Sequence, residues 1–207
     1  KDNEALPESI VKELESKRVK AKTSSYWENW CKVYLDGQMG VLEGACIPNW
    51  VGVDKIPEGA ELLGYGMDFG YTNDPSSVIA LYKYEDGYIA DEVLYKKGML
   101  PSEMYNYLKH NGVGDKLIYA DPSSPMTIAE LRGYGLNILA VPKKGMEKKT
   151  ISVGLDLINE NNLYVTNGSI NLIKELTAYI FLTDKSGRTL NVPKGGFDHA
   201  IDSLRYS

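Results

Sequence analysis

Apolar and polar positions change their period along this chain, and the changes divide it into elements. In residues 7–22 (PESIVKELESKRVKAK), Ile10, Val11 and Leu14 mark one face of a helix. Pro7 suits its first turn, and Lys and Arg gather at its C-terminal end, where the helix dipole favours cations. Residues 24–35 (SSYWENWCKVYL) predict a second, aromatic-rich helix with Ser24 or Ser25 as its cap. From Gly37 to Gly59 the chain also holds Gly40, Gly44, Pro48, Gly52 and Pro57, turn chemistry that predicts a linker or an irregular lid. The pattern then turns to strands over 61–69, 77–84 and 88–95, the last two joined by Glu85-Asp86-Gly87, whose Asp-Gly step signals a hairpin. Helices over 101–110, 124–133, 147–160 and 169–178 alternate with strands at 116–120, 136–141 and 162–166. Residues 179–183 and 188–192 predict another hairpin through Lys185-Ser186-Gly187, and 196–207 a last helix.

Hairpin-joined strands followed by alternating helices and strands predict an α/β protein. Its sheet is mixed, antiparallel in front and parallel behind, with helices on both faces. This is an element order that suits a ribonuclease H-like fold, and other α/β sandwiches share it; here it is preceded by an N-terminal helical and linker extension. The expected boundary falls near Pro57–Glu61, with residues 1–59 as the extension and 60–207 as the main domain. The chain does not begin with Met and reads as an excised fragment.

Composition narrows the function classes. Over 207 residues, 43% apolar content supplies a core and excludes disorder. No apolar run approaches the roughly 20 residues of a membrane span, and the polar start Lys1–Glu8 is no signal peptide. Cys31 and Cys46 are too few for a disulfide framework or a four-ligand zinc site, and read as reduced thiols of a cytoplasmic protein. The net charge of −5 is uneven: −2 over residues 1–60, −5 over 61–140 and +2 over 141–207. A protein holding cations near a phosphate backbone has this distribution, and so does ordinary surface variation.

Three acids stand where chemistry could use them. Asp68 ends the first strand after Gly64-Tyr65-Gly66-Met67, and Asp121 follows Leu117-Ile118-Tyr119-Ala120. Asp202 lies on the last helix at i+3 from His199 and i+4 from Asp198, spacings that share a helix face. Phosphodiester hydrolysis by two divalent cations needs several carboxylates on different elements, because Mg²⁺ and Mn²⁺ take oxygen ligands. Parallel strands deliver such residues to one sheet edge. Each residue also has an ordinary role open to it. Asp68 could form a turn, Asp121 could cap the helix starting near Ser124, and Asp198 could cap the last helix. Asp202 could pair with Arg205, and His199 could be structural.

Other chemistries lack their motifs. There is no Gly-x-x-x-x-Gly-Lys-[Ser/Thr] loop, no Cys-x-x-Cys and no Gly-x-Ser-x-Gly. Gly64-x-Gly66 has no third glycine, and Asp68-Phe69-Gly70 stands without the other kinase motifs. Lys143, Lys144, Lys148 and Lys149 surround Gly145 and, with Lys194, form a candidate phosphate clamp; a solvated loop explains the run equally well.

Met67-Asp68-Phe69-Gly70-Tyr71, Tyr119-Ala120-Asp121-Pro122 and Asp198-His199-Ala200-Ile201-Asp202-Ser203-Leu204-Arg205-Tyr206 together resemble the nuclease domain of tailed-bacteriophage terminase large subunits. Ile128-Ala129-Glu130-Leu131-Arg132 and Val141-Pro142-Lys143-Lys144-Gly145 add to the resemblance, and Gly40-Val41-Leu42-Glu43-Gly44 resembles the segment that links ATPase and nuclease. The resemblance implies a ribonuclease H-like endonuclease that cuts concatemeric double-stranded viral DNA during packaging, using two Mg²⁺ or Mn²⁺ ions. Asp68, Asp121 and Asp202 would be its metal-binding catalytic carboxylates, with His199 beside Asp202. It implies a portal, a small terminase subunit and, through an ATPase domain whose motifs are missing here, ATP as partners. The expected location is the bacterial host cytoplasm, transiently at the procapsid portal. Two other readings stand beside it: a related resolvase or repair nuclease, and a non-catalytic module that binds DNA or the portal.

Overall fold

The computed structural model describes residues 8–22, 31, 44–142 and 148–207. Helix α1 (Glu8–Ala21) carries Arg18 and Lys20 in its last turn, as its sequence predicts. The helix expected over 24–35 lies outside the described residues except for Cys31, which is a buried free thiol like Cys46.

Seven strands form the main sheet: β1 (Trp50–Val53), β2 (Glu61–Asp68), β3 (Ser76–Tyr84), β4 (Gly87–Lys96), β5 (Ile118–Ala120), β6 (Ile138–Ala140) and β7 (Asn162–Thr166). Their order is β1-β7-β4-β3-β2-β5-β6. The pairs β2–β3 and β3–β4 are antiparallel, and all other neighbours run parallel. The mixed sheet expected from the order of elements is therefore found. Its connections use α2 (Pro101–His110), α3 (Pro125–Gly133) and α4 (Lys148–Asn159), and α5 (Ile170–Ala178) follows its last strand. A separate hairpin, β8 (Phe181–Thr183) with β9 (Thr189–Pro193), precedes the last helix, α6 (His199–Tyr206).

Strand alternation sends side chains to two cores. On one face Tyr65, Met67, Val78 and Ala80 meet Met104 and Leu108 of α2 and Ile128 and Leu131 of α3. On the other, Ile79, Ala90, Leu163 and Val165 meet Leu155 of α4, Leu172 and Leu176 of α5, and Ala200, Ile201 and Leu204 of α6. Each fully buried aliphatic side chain contributes about 1.5–3 kcal/mol, so these two layers hold the helices to the sheet.

Two details differ from the sequence expectation. Part of the glycine- and proline-rich stretch is packed rather than linker-like. Trp50–Val53 pair parallel with Leu163–Thr166, and Cys46 and Ile47 are buried in the second core. The Cys46 N–H donates to the Tyr179 carbonyl at 2.8 Å, and Asn159 Nδ2 donates to the Cys46 carbonyl at 2.8 Å. Main-sheet strand β1 thus precedes the boundary expected near Pro57–Glu61. A strand of four residues is too short to show an alternation, and its partner lies far along the chain. The second difference is in the first hairpin. Tyr84 pairs with Gly87, so the turn is Glu85–Asp86, with Glu85 at φ 47°. Gly87 lies inside β4, where a Cβ would stand 2.3 Å from the Asn162 carbonyl oxygen of β7. The adjacent strand, not the turn, requires this glycine.

Candidate metal centre

β2 lies between β3 and β5, and its parallel register with β5 sets Met67 against Ala120. Both strands therefore end at the same sheet edge, and Asp68 and Asp121 come next to each other there. The Asp121 N–H donates to the Met67 carbonyl at 2.9 Å, tying the second strand end to the first.

Helix α6 closes over this corner because Gly66 lets it. A Cβ at Gly66 would stand 1.8 Å from the Ser203 carbonyl oxygen, so no other residue allows this approach. The Ser203 hydroxyl donates toward the carbonyl oxygens of Ser77 (3.1 Å) and His199 (3.0 Å). Ser77 is the register partner of Asp68, so this contact fixes the helix over the end of β2. The result is a direct contact between His199 Nδ1 and Asp68 Oδ2 at 3.0 Å, while His199 Nε2 lies 3.5 Å from Asp74 Oδ1. Asp74 belongs to the loop between β2 and β3. Ser76 braces that loop by accepting from the Gly70 N–H (3.2 Å) and donating to the Gly70 carbonyl (2.8 Å).

The alternative roles are partly realised. Asp202 does pair with Arg205, whose Nη2 and Nε donate to Oδ1 at 2.8 and 3.1 Å. Asp121 accepts from the Ser123 N–H at 3.2 Å and from the Ser123 hydroxyl, a local turn, while Ser124 takes the N-cap position of α3. Asp198 does occupy the N-cap position of α6, but its side chain makes no capping bond. Its Oδ1 accepts from the Gly196 N–H at 3.3 Å instead. The first amides of α6, at Ala200 and Ile201, donate to Glu175 Oε2 at 2.8 and 3.1 Å.

The electrostatics are those of acids within reach of one another's charge. Asp68 is 9% exposed. Burial above all, with the negative charges of Asp202 and Asp121, pushes its carboxyl up to about 7 against the opposing hydrogen bond and charge of His199. Asp202 is raised by burial and by Asp198, with Arg205 opposing. Burial disfavours the His199 cation, but Asp68, Glu175 and Asp74 outweigh it and hold the imidazole above its ordinary pKa. Such a cluster favours a cation, because each carboxylate raises the cost of ionising the next. Three carboxylates and an imidazole from three elements also match the oxygen-rich donor set of a hard divalent ion. They are not gathered to ligand spacing: among the described residues no three His, Cys, Asp or Glu side chains stand close enough to hold an ion.

Of the basic candidates, Lys143 and Lys144 lie outside the described residues, as do the side chains of Lys148 and Lys149. Lys194 is exposed just after β9, with its N–H donating to the Ile180 carbonyl at 2.9 Å. A cleft of about 380 Å³, lined by Phe69, Tyr71, Asp74, Met99 and Ser124 among others, opens beside the Asp74 loop. Sequence reasoning missed Asp74 and Glu175. Asp74-Pro75 reads as a turn, and Lys174-Glu175 reads as helix surface, although Glu175 is 4% exposed.

No family model matches the chain, and no curated protein matches it. Solved structures do. The nuclease domain of the bacteriophage SPP1 large terminase, solved with bound Mn, is similar at a TM-score of 0.67 and 21% identity, over 78% of this chain and 96% of that one. The large terminase nuclease of the thermophilic phage G20c, with bound magnesium, gives 0.53 and 21%, over 74% and 83%. The large terminase of a further thermophilic bacteriophage, in complex with ADP, gives 0.61 and 21%, over 75% of this chain and 41% of that one. Among the described residues, no helix is long and apolar enough to cross a membrane. The chain has the ribonuclease H-like fold of the large-terminase nuclease domains.

Proposed function

We propose that this chain is a metal-dependent DNA endonuclease, the nuclease part of a phage large terminase that cuts concatemeric double-stranded DNA during genome packaging. One observation carries the reading: Asp68, Asp121 and the His199–Asp202 helix meet at one sheet edge, within a fold shared with such nucleases. Asp68, Asp121, Asp202 and His199 are the residues that would hold the metal. Two ions, Mg²⁺ or Mn²⁺, would supply a reactive water at neutral pH and neutralise charge on the leaving oxygen.

The chain's own residues do the rest. Asp68, buried and central, presents its carboxylate at the end of a strand fixed on both sides. Arg205 occupies one oxygen of Asp202 and orients the other. His199 bonds Asp68 through Nδ1 and turns Nε2 toward Asp74, where it can hold or pass a proton. Lys194 and the lysines at 143, 144, 148 and 149 supply phosphate contacts, so binding falls steeply with salt. In the whole protein, the residues ahead of Cys46, Ile47 and strand β1, which pack into the main sheet, would belong to the end of an ATPase region and its connector. The portal, the small terminase subunit and ATP are then partners of that larger machine, in the host cytoplasm and at the procapsid.

Supercoiled plasmid incubated with the purified chain in Mg²⁺, in Mn²⁺ and in EDTA tests the reading, with Asp121→Ala as control. Nicking and linearisation that need metal and vanish in the variant are expected. Cleavage unchanged in EDTA or in Asp121→Ala would overturn it.

A further inference from the structure

Helix α6 lacks a cap of its own: Asp198 stands at its N-cap position without a side-chain capping bond, yet the helix carries both His199 and Asp202. Its first amides are satisfied from outside. Glu175 of α5 accepts from Ala200 N and Ile201 N through Oε2, at 2.8 and 3.1 Å, and from the Tyr95 hydroxyl through Oε1, at 2.8 Å. A carboxylate with three donors has little freedom to turn, and bonds to an ionised acceptor are about twice as strong as neutral ones. α5 is itself held in the same way. Glu92 of β4 accepts from Leu172 N and from Asn171 Nδ2, both at 2.7 Å, and the Glu92 N–H donates to Ser169 Oγ at 2.8 Å. Two carboxylates in series therefore connect β4 to the start of α5 and α5 to the start of α6.

We infer that Glu175 is a positioning residue for the metal centre: reaching across from α5 and braced by Tyr95, it replaces the missing cap of α6, fixes where His199 and Asp202 stand, and leaves the Asp198 side chain uncommitted to the helix. The inference rests on the nuclease reading above for its purpose, but its geometry does not depend on that reading. A cap from α6 itself would tie the helix only to its own loop. A cap from α5 ties it to the sheet that carries Asp68.

The test uses the whole chain and two readouts. The first is metal-free: the ring ¹H–¹⁵N signals of His199, which report its bond to Asp68. The second is Mn²⁺ affinity by calorimetry. Glu175→Ala is expected to shift the His199 signals and weaken Mn²⁺ binding about tenfold, as loss of a supporting hydrogen-bond partner does at metal sites. Glu175→Gln keeps an oxygen for the two amides and an NH₂ for the Tyr95 oxygen, and is expected to restore both readouts. Should Glu175→Ala fail to fold, Tyr95→Phe carries the test, with His199 displaced and Mn²⁺ affinity reduced about threefold. A folded Glu175→Ala or Tyr95→Phe with His199 signals and Mn²⁺ affinity as in the wild type would overturn the inference and leave Glu175 a purely structural group. If the wild type binds no Mn²⁺ while Glu175→Ala still displaces His199, the nuclease reading fails and the positioning role stands.

Discussion

The corners at the ends of β2 and β5 lie side by side and carry the same residue, and they differ in nearly everything else. Asp68 is covered by α6, is bonded by His199, and has its carboxyl pushed up to about 7. Asp121 lies at the entrance to α3, where the N–H and hydroxyl of Ser123 satisfy it locally. The same side chain is destabilised in one corner and comfortable in the other. What differs is the packed neighbour: Gly66 admits a helix over the first strand end, and a turn follows the second. A site that is to attract a cation needs the first kind of corner, because there the folded protein gains by neutralising the charge. The second kind supplies a ready ligand at little cost.

The largest expected effect removes either acid. Asp68→Ala and Asp121→Ala should each lower metal-dependent plasmid cleavage by about a hundredfold to a thousandfold, the scale for losing a group that acts at the transition state. Circular dichroism should remain that of the wild type. A variant that still cuts within tenfold of the wild type would take its residue out of the site.

Next is Gly66→Ala. The added methyl meets the Ser203 backbone oxygen, which cannot swing aside, so the helix must lift. A loss of about 3 kcal/mol in urea denaturation is expected. A neutral result would show that α6 does not need this approach.

The comparison also predicts a pH dependence for the metal-free protein. The folded pKa of Asp68, about 7, lies above the ordinary carboxylate value, so the fold favours its protonated form. Its contribution is full below the unfolded pKa and lost as pH rises through about 7. Between pH 5 and 8 the chain should lose on the order of 2 kcal/mol in denaturation without divalent ions. Mg²⁺ should restore stability at pH 8 and do little at pH 5. Asp68→Asn should weaken the dependence to what Asp202 and His199 still contribute, and Asp121→Asn should keep it; equal behaviour of the two variants would mean that the corners do not differ.

The smallest effect is at the start of α6. Removing a working N-cap costs about 1 kcal/mol, but Asp198 makes no such bond, so Asp198→Ala should stay within about 0.5 kcal/mol of the wild type. A full capping loss in thermal unfolding would mean that the side chain does bond the helix start.

Much of this was readable from the chain. Asp68 and Asp121 were legible because each closes an apolar strand run, and strand ends of a parallel pair share an edge. His199 and Asp202 were legible because helix spacing sets them on one face. Asp74 was not, because a loop residue has no period to betray where its side chain points. Glu175 was hidden for a different reason: a Glu beside a Lys in an amphipathic helix reads as solvent-facing, and only the packing of α5 against α6 buries it. β1 escaped notice because four residues show no alternation.

The sequence by itself determined the order and kind of the elements and which acids end them, since period, turn chemistry and strand termini are local properties. Only the tertiary structure decided which acid is buried and which satisfied, what caps α6, and why Gly66 and Gly87 must be glycine. Those depend on atoms distant in sequence brought into van der Waals contact, and no local pattern records such an approach.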